Sequence, residues 1–153
     1  MKYLQILMCV LLLHSCSNEK VYMEDIPIVE QYCEDFPRSV FDDFENHTAK
    51  VINDIETLKL VTANIPSVMD ALQDCDFDAY TIILLASLED AEICTYDINL
   101  RYAKYEGTYH LSIDYVYDNS ATRELYCRVC ACVVPKHDDM AGNVKVTYGS
   151  YGK

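Results

Sequence analysis

The stretch Tyr80–Ser87, YTIILLAS, is a continuous apolar run of strand length, rich in β-branched residues. A strand that faces solvent on one side alternates apolar with polar residues, whereas Ile82 to Ala86 carry no polar residue at all, so this one is expected to be buried on both faces. A strand covered on both sides needs a layer on each, and the flanking sequence supplies candidates. Upstream, NDIETLKLVT (53–62) repeats apolar residues at helical spacing, with Ile55, Leu58 and Val61 or Thr62 on one face and Glu56 and Lys59 on the other. Asn53 and Glu56 stand three apart, as in a capping box, so a helix is expected to start at Asn53. Ile65 and Pro66 interrupt that helix, and SVMDALQD (67–74) adds a short second helical segment.

Downstream the period shortens to two. EICTYDINLRYAKY (92–105) and TYHLSIDYVYD (108–118) form a strand pair joined through Glu106-Gly107-Thr108, where Gly107 supplies the positive φ of a tight hairpin. In the second of these strands Tyr109, Leu111, Ile113, Tyr115 and Tyr117 fall on one face, and His110, Ser112 and Asp114 on the other. DNSA (118–121) carries turn residues, after which RELYCRVCACVVP (123–135) is a further strand stopped by Pro135, and NVKVTY (143–148) a last one. A helix followed by hairpin-linked strands implies an α+β fold, in which one amphipathic helix and a short second segment pack on a mainly antiparallel sheet.

The N-terminal residues carry an address. Met1 and Lys2 precede an apolar core, YLQILMCVLLL (3–13), that is shorter than the ~20 residues a permanent membrane helix needs. The core ends in LHSC (13–16) and the chain turns polar at once, which resembles the bacterial lipoprotein signal cut before a lipidated cysteine. The expected organisation is a signal peptide over 1–15, a lipidated Cys16 with a tether to residue 37, and a single α+β domain over 38–153. Palmitate or a similar acyl chain on Cys16 would attach the protein to the cell envelope. Ser17 lacks the aspartate associated with inner-membrane retention, which favours the outer membrane. The bland alternative is an ordinary cysteine after a poor cleavage site.

Charge excludes some partners. Lys and Arg number 12 against 25 Asp and Glu, a formal net charge of −13, and removing residues 1–15 takes away Lys2 and no acid. Nucleic acid is not an expected partner, because its binding relies on cationic side chains that displace counterions from phosphate. Membrane attachment would come from lipid and not from a basic patch.

The order VINDIETL (51–58), CDFDAYTIILL (75–85), GTYHLSIDY (107–115) and CVVPK (132–136) resembles small envelope lipoproteins of Bacteroidetes. More distantly, it is similar to the family named for the C-terminal part of a protease-complex subunit. The resemblance spans roughly residues 50 to 148, and its sharpest part is the Asp-Phe-x-x-Tyr-Thr pattern of Asp76–Thr81. It implies an envelope address and a binding or accessory role for another envelope protein or an extracellular ligand.

Several constellations bear on chemistry. Asp74, Asp76 and Asp78 alternate like the first ligands of a calcium loop, but the sixth and twelfth positions are Ala79 and Leu85, so these acids are expected to cap a turn. Apart from Cys9 and Cys16, six cysteines remain: Cys33, Cys75, Cys94, Cys127, Cys130 and Cys132. An even number in an oxidising envelope points to disulfides. On a strand, Cys130 and Cys132 share a face that Cys127 does not, so neighbours in CRVCAC are poorly placed to bond each other. Six cysteines allow 15 full pairings, among which sequence does not choose; Cys94 is a candidate partner for one of the CRVCAC cysteines, and Cys33 with Cys75 a candidate bridge pinning the tether to the domain.

The alternative reading is an envelope enzyme or zinc protein using Cys127, Cys130, Cys132 and His137, although a regular strand would split those sulfurs between its faces. A hydrolase on Cys132 and His137 lacks a visible orienting group. No motif names a catalytic residue, a metal set or a cofactor, and with four glycines in the chain no Gly-rich phosphate loop is present. The thirteen tyrosines, with no tryptophan, are expected mainly at core edges and in cross-strand pairs, or else on a recognition surface.

Overall fold

The structure is a computed structural model that describes residues 22–43 and 49–152, with backbone alone for 41–43, 89–95, 116–125 and 150–152. The α+β architecture is as the sequence implies: two short helices on a sheet in which all strand pairs but one are antiparallel. Its elements in order are β1 (Met23–Ile26), β2 (Glu30–Pro37), a 3-10 turn (Arg38–Asp43), β3 (Lys50–Ile52), α1 (Ile55–Val61), α2 (Pro66–Leu72), β4 (Tyr80–Ala103), β5 (Thr108–Pro135) and β6 (Val144–Gly152).

The centre is one long ribbon. β4 and β5 are antiparallel from Tyr80↔Pro135 to Ala103↔Thr108, and Gly107 closes the turn between them at φ 62°. The sequence expectation of separate strands divided by a turn at DNSA is corrected here, since β5 runs through residues 118–121 as strand. What the sequence marks as a turn is a set of register shifts. Between Glu89↔Tyr126 and Thr95↔Val116, β5 advances ten residues while β4 advances six. Surplus residues on one strand bend and twist a ribbon without ending it.

The bend folds the ribbon onto itself, and the two buried clusters show how. Ile83 and Leu85 from the start of β4, with Cys130, Cys132 and Val134 from the end of β5, share one cluster with Ile98, Leu100, Leu111, Ile113 and Tyr115 from the hairpin end. Odd residues of β4 face this cluster before the bend and even ones after it, as an odd number of bulged residues on that strand requires. The opposite face of the first half, Ile82, Leu84, Ala86, Val129, Ala131 and Val133, lies under Leu58, Ile65, Val68 and Leu72 of the helices and the link between them. The molecule therefore has three layers, helices on one sheet half and that half on the other. YTIILLAS is buried on both faces for this reason, with Thr81 to Ser87 all enclosed.

Residues 23–37 depart from the expected tether. β1 pairs with Leu100–Ala103 in one layer, Pro27–Val29 cross over, and β2 pairs with Tyr126–Val133 in the other. The described fold thus begins at β1 and not at residue 38. Prolines and acids hid these strands because an edge strand tolerates both. β6 is also unusual in running parallel to β5, beside Tyr109–Tyr117. Parallel neighbours normally need a crossover of about a dozen residues. Here the shorter link 136–143 suffices because folding the ribbon brings Pro135 back toward Tyr109, where the amide of Tyr109 donates to the Asn143 carbonyl at 2.9 Å.

The first helix starts one residue later than expected. Asp54 is its cap, accepting from the Thr57 amide at 2.7 Å and from the Thr57 hydroxyl at 2.8 Å. Asn53 accepts from Thr81 Oγ1 at 2.6 Å, and Glu56 pairs with Lys59, so neither makes the expected capping box. The carboxylate of Asp54 meets the helix dipole as a full charge, which leaves the Asn53 amide to tie the helix start to β4. Leu58 and Thr62 are buried and Glu56 and Lys59 exposed, as the periodicity requires, and Pro66 opens α2 at its first turn.

Candidate functional site: an acid-rimmed cleft at the start of the central strand

The link from α2 to β4 is Gln73–Ala79, which contains the three alternate aspartates. Asp76 organises it: its Oδ1 accepts from the Asp78 amide at 3.1 Å, and its carbonyl from Ala79 at 3.1 Å and Tyr80 at 2.8 Å. For Asp76 this is the turn-capping role expected of the three aspartates. Phe77 packs on the helix-side core, and its carbonyl accepts from Lys136 Nζ at 2.8 Å, so the turn is held from both sides.

Beside this turn lies a cleft of about 230 Å³. Buried Leu72 and Val133 with half-buried Tyr80 form its apolar base, and the exposed side chains of Glu30, Asp74 and Asp76 stand around it. Helix α2, strand β2 and the two central strands all contribute, so the cleft exists only in the folded molecule. Cys75 is its half-buried thiol. Burial pushes the pKa of that thiol up, and the negative charges of Asp76 and Glu30 push it further. Cys75 is therefore a neutral thiol at neutral pH and a poor nucleophile.

The other cysteines fall elsewhere. Cys33 bonds Cys130, its direct partner across β2 and β5, over a separation of 97 residues. Cys75, Cys127 and Cys132 are thiols, so the expected Cys33–Cys75 bridge and a Cys94 bridge to the 127–132 segment are both corrected. The Cys94 side chain lies outside the described residues, but its backbone sits between Ile93↔Tyr117 and Thr95↔Val116, far along the ribbon from Cys127. The Cys33–Cys75 pairing presumed a tether, whereas β2 is a sheet strand that sets Cys33 opposite Cys130, and the Cys94 pairing presumed a strand neighbourhood with residues 127–132 that the ribbon's register does not provide.

As the strand geometry requires, Cys127 faces the helices and Cys130 and Cys132 the other core. His137 contacts the Tyr109 ring, with centroids 5.7 Å apart. The Cys127, Cys130, Cys132 and His137 set is thus not brought together. Burial raises the Cys132 thiol to about 12, and burial with the Asp35 charge raises Cys127 to about 11. Tyrosines do fill core edges and pair across strands: Tyr102 and Tyr109 are register partners with centroids 4.7 Å apart, and Tyr115 stacks on Tyr148.

Sequence reasoning missed one group. Arg128 is fully buried, donates from Nε and Nη2 to the two oxygens of Asp35 at 2.8 and 2.9 Å, and lies 5.1 Å above the Tyr115 ring. The signal was an arginine inside the otherwise apolar CRVCAC run, where a charge needs a partner. Cys16 and the signal segment lie outside the described residues.

Fold and cleft together define a three-layer α+β protein with an acid-rimmed apolar recess at its sheet edge. No protein-family model matches the chain, no curated protein matches it, and no solved structure matches it.

Proposed function

We propose that this protein is a binding module held in the bacterial cell envelope by a lipid on Cys16, in the manner of the small Bacteroidetes lipoproteins its sequence resembles. Its partner is another envelope protein or an extracellular ligand, and its outer-membrane address follows from the signal segment and Ser17. The observation that carries the binding role is the cleft at Asp74–Tyr80, an apolar recess built by one helix and three strands and ringed by carboxylates. Support also comes from the thiols. Cys75, Cys127 and Cys132 all have pKa values raised by burial, which suits structural or lining roles better than nucleophilic catalysis.

The test has two arms in one strain. Labelled palmitate should enter the full chain and not its Cys16→Ser variant, which should leave the membrane fraction. A photo-crosslinking residue at Ala71, on the exposed lip of the cleft, should give a discrete adduct in intact cells that the same residue at exposed Lys104 does not give. Label uptake by the variant would overturn the anchor, and identical adducts from both positions would overturn the cleft as the binding site.

A further inference from the structure

Among the described residues, the carboxylates around the cleft belong to no ion pair. Elsewhere, Arg128 neutralises Asp35, Arg101 meets Asp25, Lys59 meets Glu56, and Lys145 meets Glu106. Among the described residues no ion pair involves Glu30, Asp74 or Asp76. The nearby ammonium of Lys136 is held by the Phe77 carbonyl. Three carboxylates thus line an apolar recess, none of them paired to a cation among the described residues, in a chain of net charge −13.

We propose that this cleft is a docking site for a long basic side chain, lysine or arginine, carried on a partner polypeptide. The inference rests on the binding role given above and names its ligand chemistry. A lysine or arginine lays its methylene stem on apolar surface while its head stays among polar groups. Leu72, Val133 and Tyr80 offer that surface, and Glu30, Asp74 and Asp76 offer acceptors around its mouth. A compact divalent ion needs several donors converging on one point, and among the described residues no three such donors are so arranged. Carboxylates spread around a recess suit a longer cation better.

The sheet edge argues that the cation arrives on a polypeptide. Glu30 belongs to β2, and the described strands pair with β2 on one side only, through β5. The cleft therefore opens beside a strand edge whose outward backbone groups can hold a peptide segment while one of its side chains enters the recess.

The test uses the full chain in neutral detergent and blocked pentapeptides that differ only in a central lysine, arginine, norleucine or glutamate. Peptides are titrated to about 10 mM, so that a millimolar Kd is readable, while amide chemical shifts are followed by NMR. The lysine and arginine peptides should shift the amides of Ala71, Cys75, Tyr80 and Val133 saturably and leave Gly107, at the distant hairpin, unmoved. Norleucine and glutamate peptides should not. Glu30→Gln and Asp74→Asn should each weaken the effect by roughly two- to fivefold, as loss of one exposed ion pair does, and added salt should weaken it too. Equal shifts with norleucine would show an apolar occupant and overturn the assignment. No shift with any peptide, alongside a specific Ala71 adduct in cells, would overturn the basic-side-chain assignment while leaving the binding role standing. Loss of both would remove both.

Discussion

Arg128 and Asp35 face each other across β5 and β2 as register partners, and their bidentate pair holds a fully buried guanidinium at the edge of the inner core. The Asp35 side chain is 30% exposed, so one end of the pair reaches water while the other lies over Tyr115. Removing only the carboxylate strands the buried charge. Asp35→Ala should therefore cost about 3 kcal/mol, the low end for breaking a buried pair. Arg128→Met, which removes the charge and keeps the volume, should cost less. Urea melts of the two variants check the order, and an Arg128→Met variant less stable than Asp35→Ala would refute it.

The Cys33–Cys130 bridge closes a loop of 97 residues between an edge strand and the central ribbon. In the chain-entropy model a loop of that size is worth about 4 to 5 kcal/mol. Cys33→Ala should lose that amount in denaturant melts, and a reductant should affect the wild type but not the variant. Mapping of the non-reduced protein should recover the Cys33 and Cys130 peptides linked.

Burial makes the inner thiols inert in two measurable ways. Neutral alkylating reagents at mildly alkaline pH should modify Cys75 slowly, and Cys127 and Cys132 only after denaturation, as read by peptide mass mapping. The Cys132 pKa is raised from 9.0 to about 12 in the folded chain, so the unfolded chain releases this proton first as pH rises. The stabilisation is fully present below pH 9 and is lost as pH climbs toward 12. Cys132→Ala should flatten this alkaline fall, and an unchanged pH profile would contradict it.

Asp54 gives the opposite sign. Its hydrogen bonds from the Thr57 amide and hydroxyl lower its pKa below 3.8, so its contribution is present at neutral pH and lost as acid protonates the folded carboxylate. Asp54→Ala should lower the thermal midpoint at pH 7, and the gap from wild type should shrink at strongly acid pH. Asn53→Ala should also destabilise, but with no such pH dependence, because it breaks the bond from Thr81 and not the cap.

The sequence by itself determined the elements whose cause lies within a few residues. Leu58 and Thr62 repeat with the helix, Tyr109 to Tyr115 alternate with the strand, and Gly107 supplies the turn conformation its hairpin needs. YTIILLAS also foretold its own double burial, since its centre, Ile82 to Ala86, has no polar residue to give to water. The acids of the cleft were visible as turn residues, but their convergence with Glu30 was not. Only the tertiary structure decided that one ribbon bends at residues 89–95 and 116–126, because a register shift depends on how both halves pack and leaves no period in either strand. From that bend follow the third layer, the short link to a parallel β6, and a place on the edge for β2. β2 in turn sets Cys33 opposite Cys130, Asp35 opposite Arg128 and Glu30 beside Asp74. Each of these pairs joins residues far apart in the chain, where separation in sequence says nothing about proximity and the shared core alone fixes which residues meet.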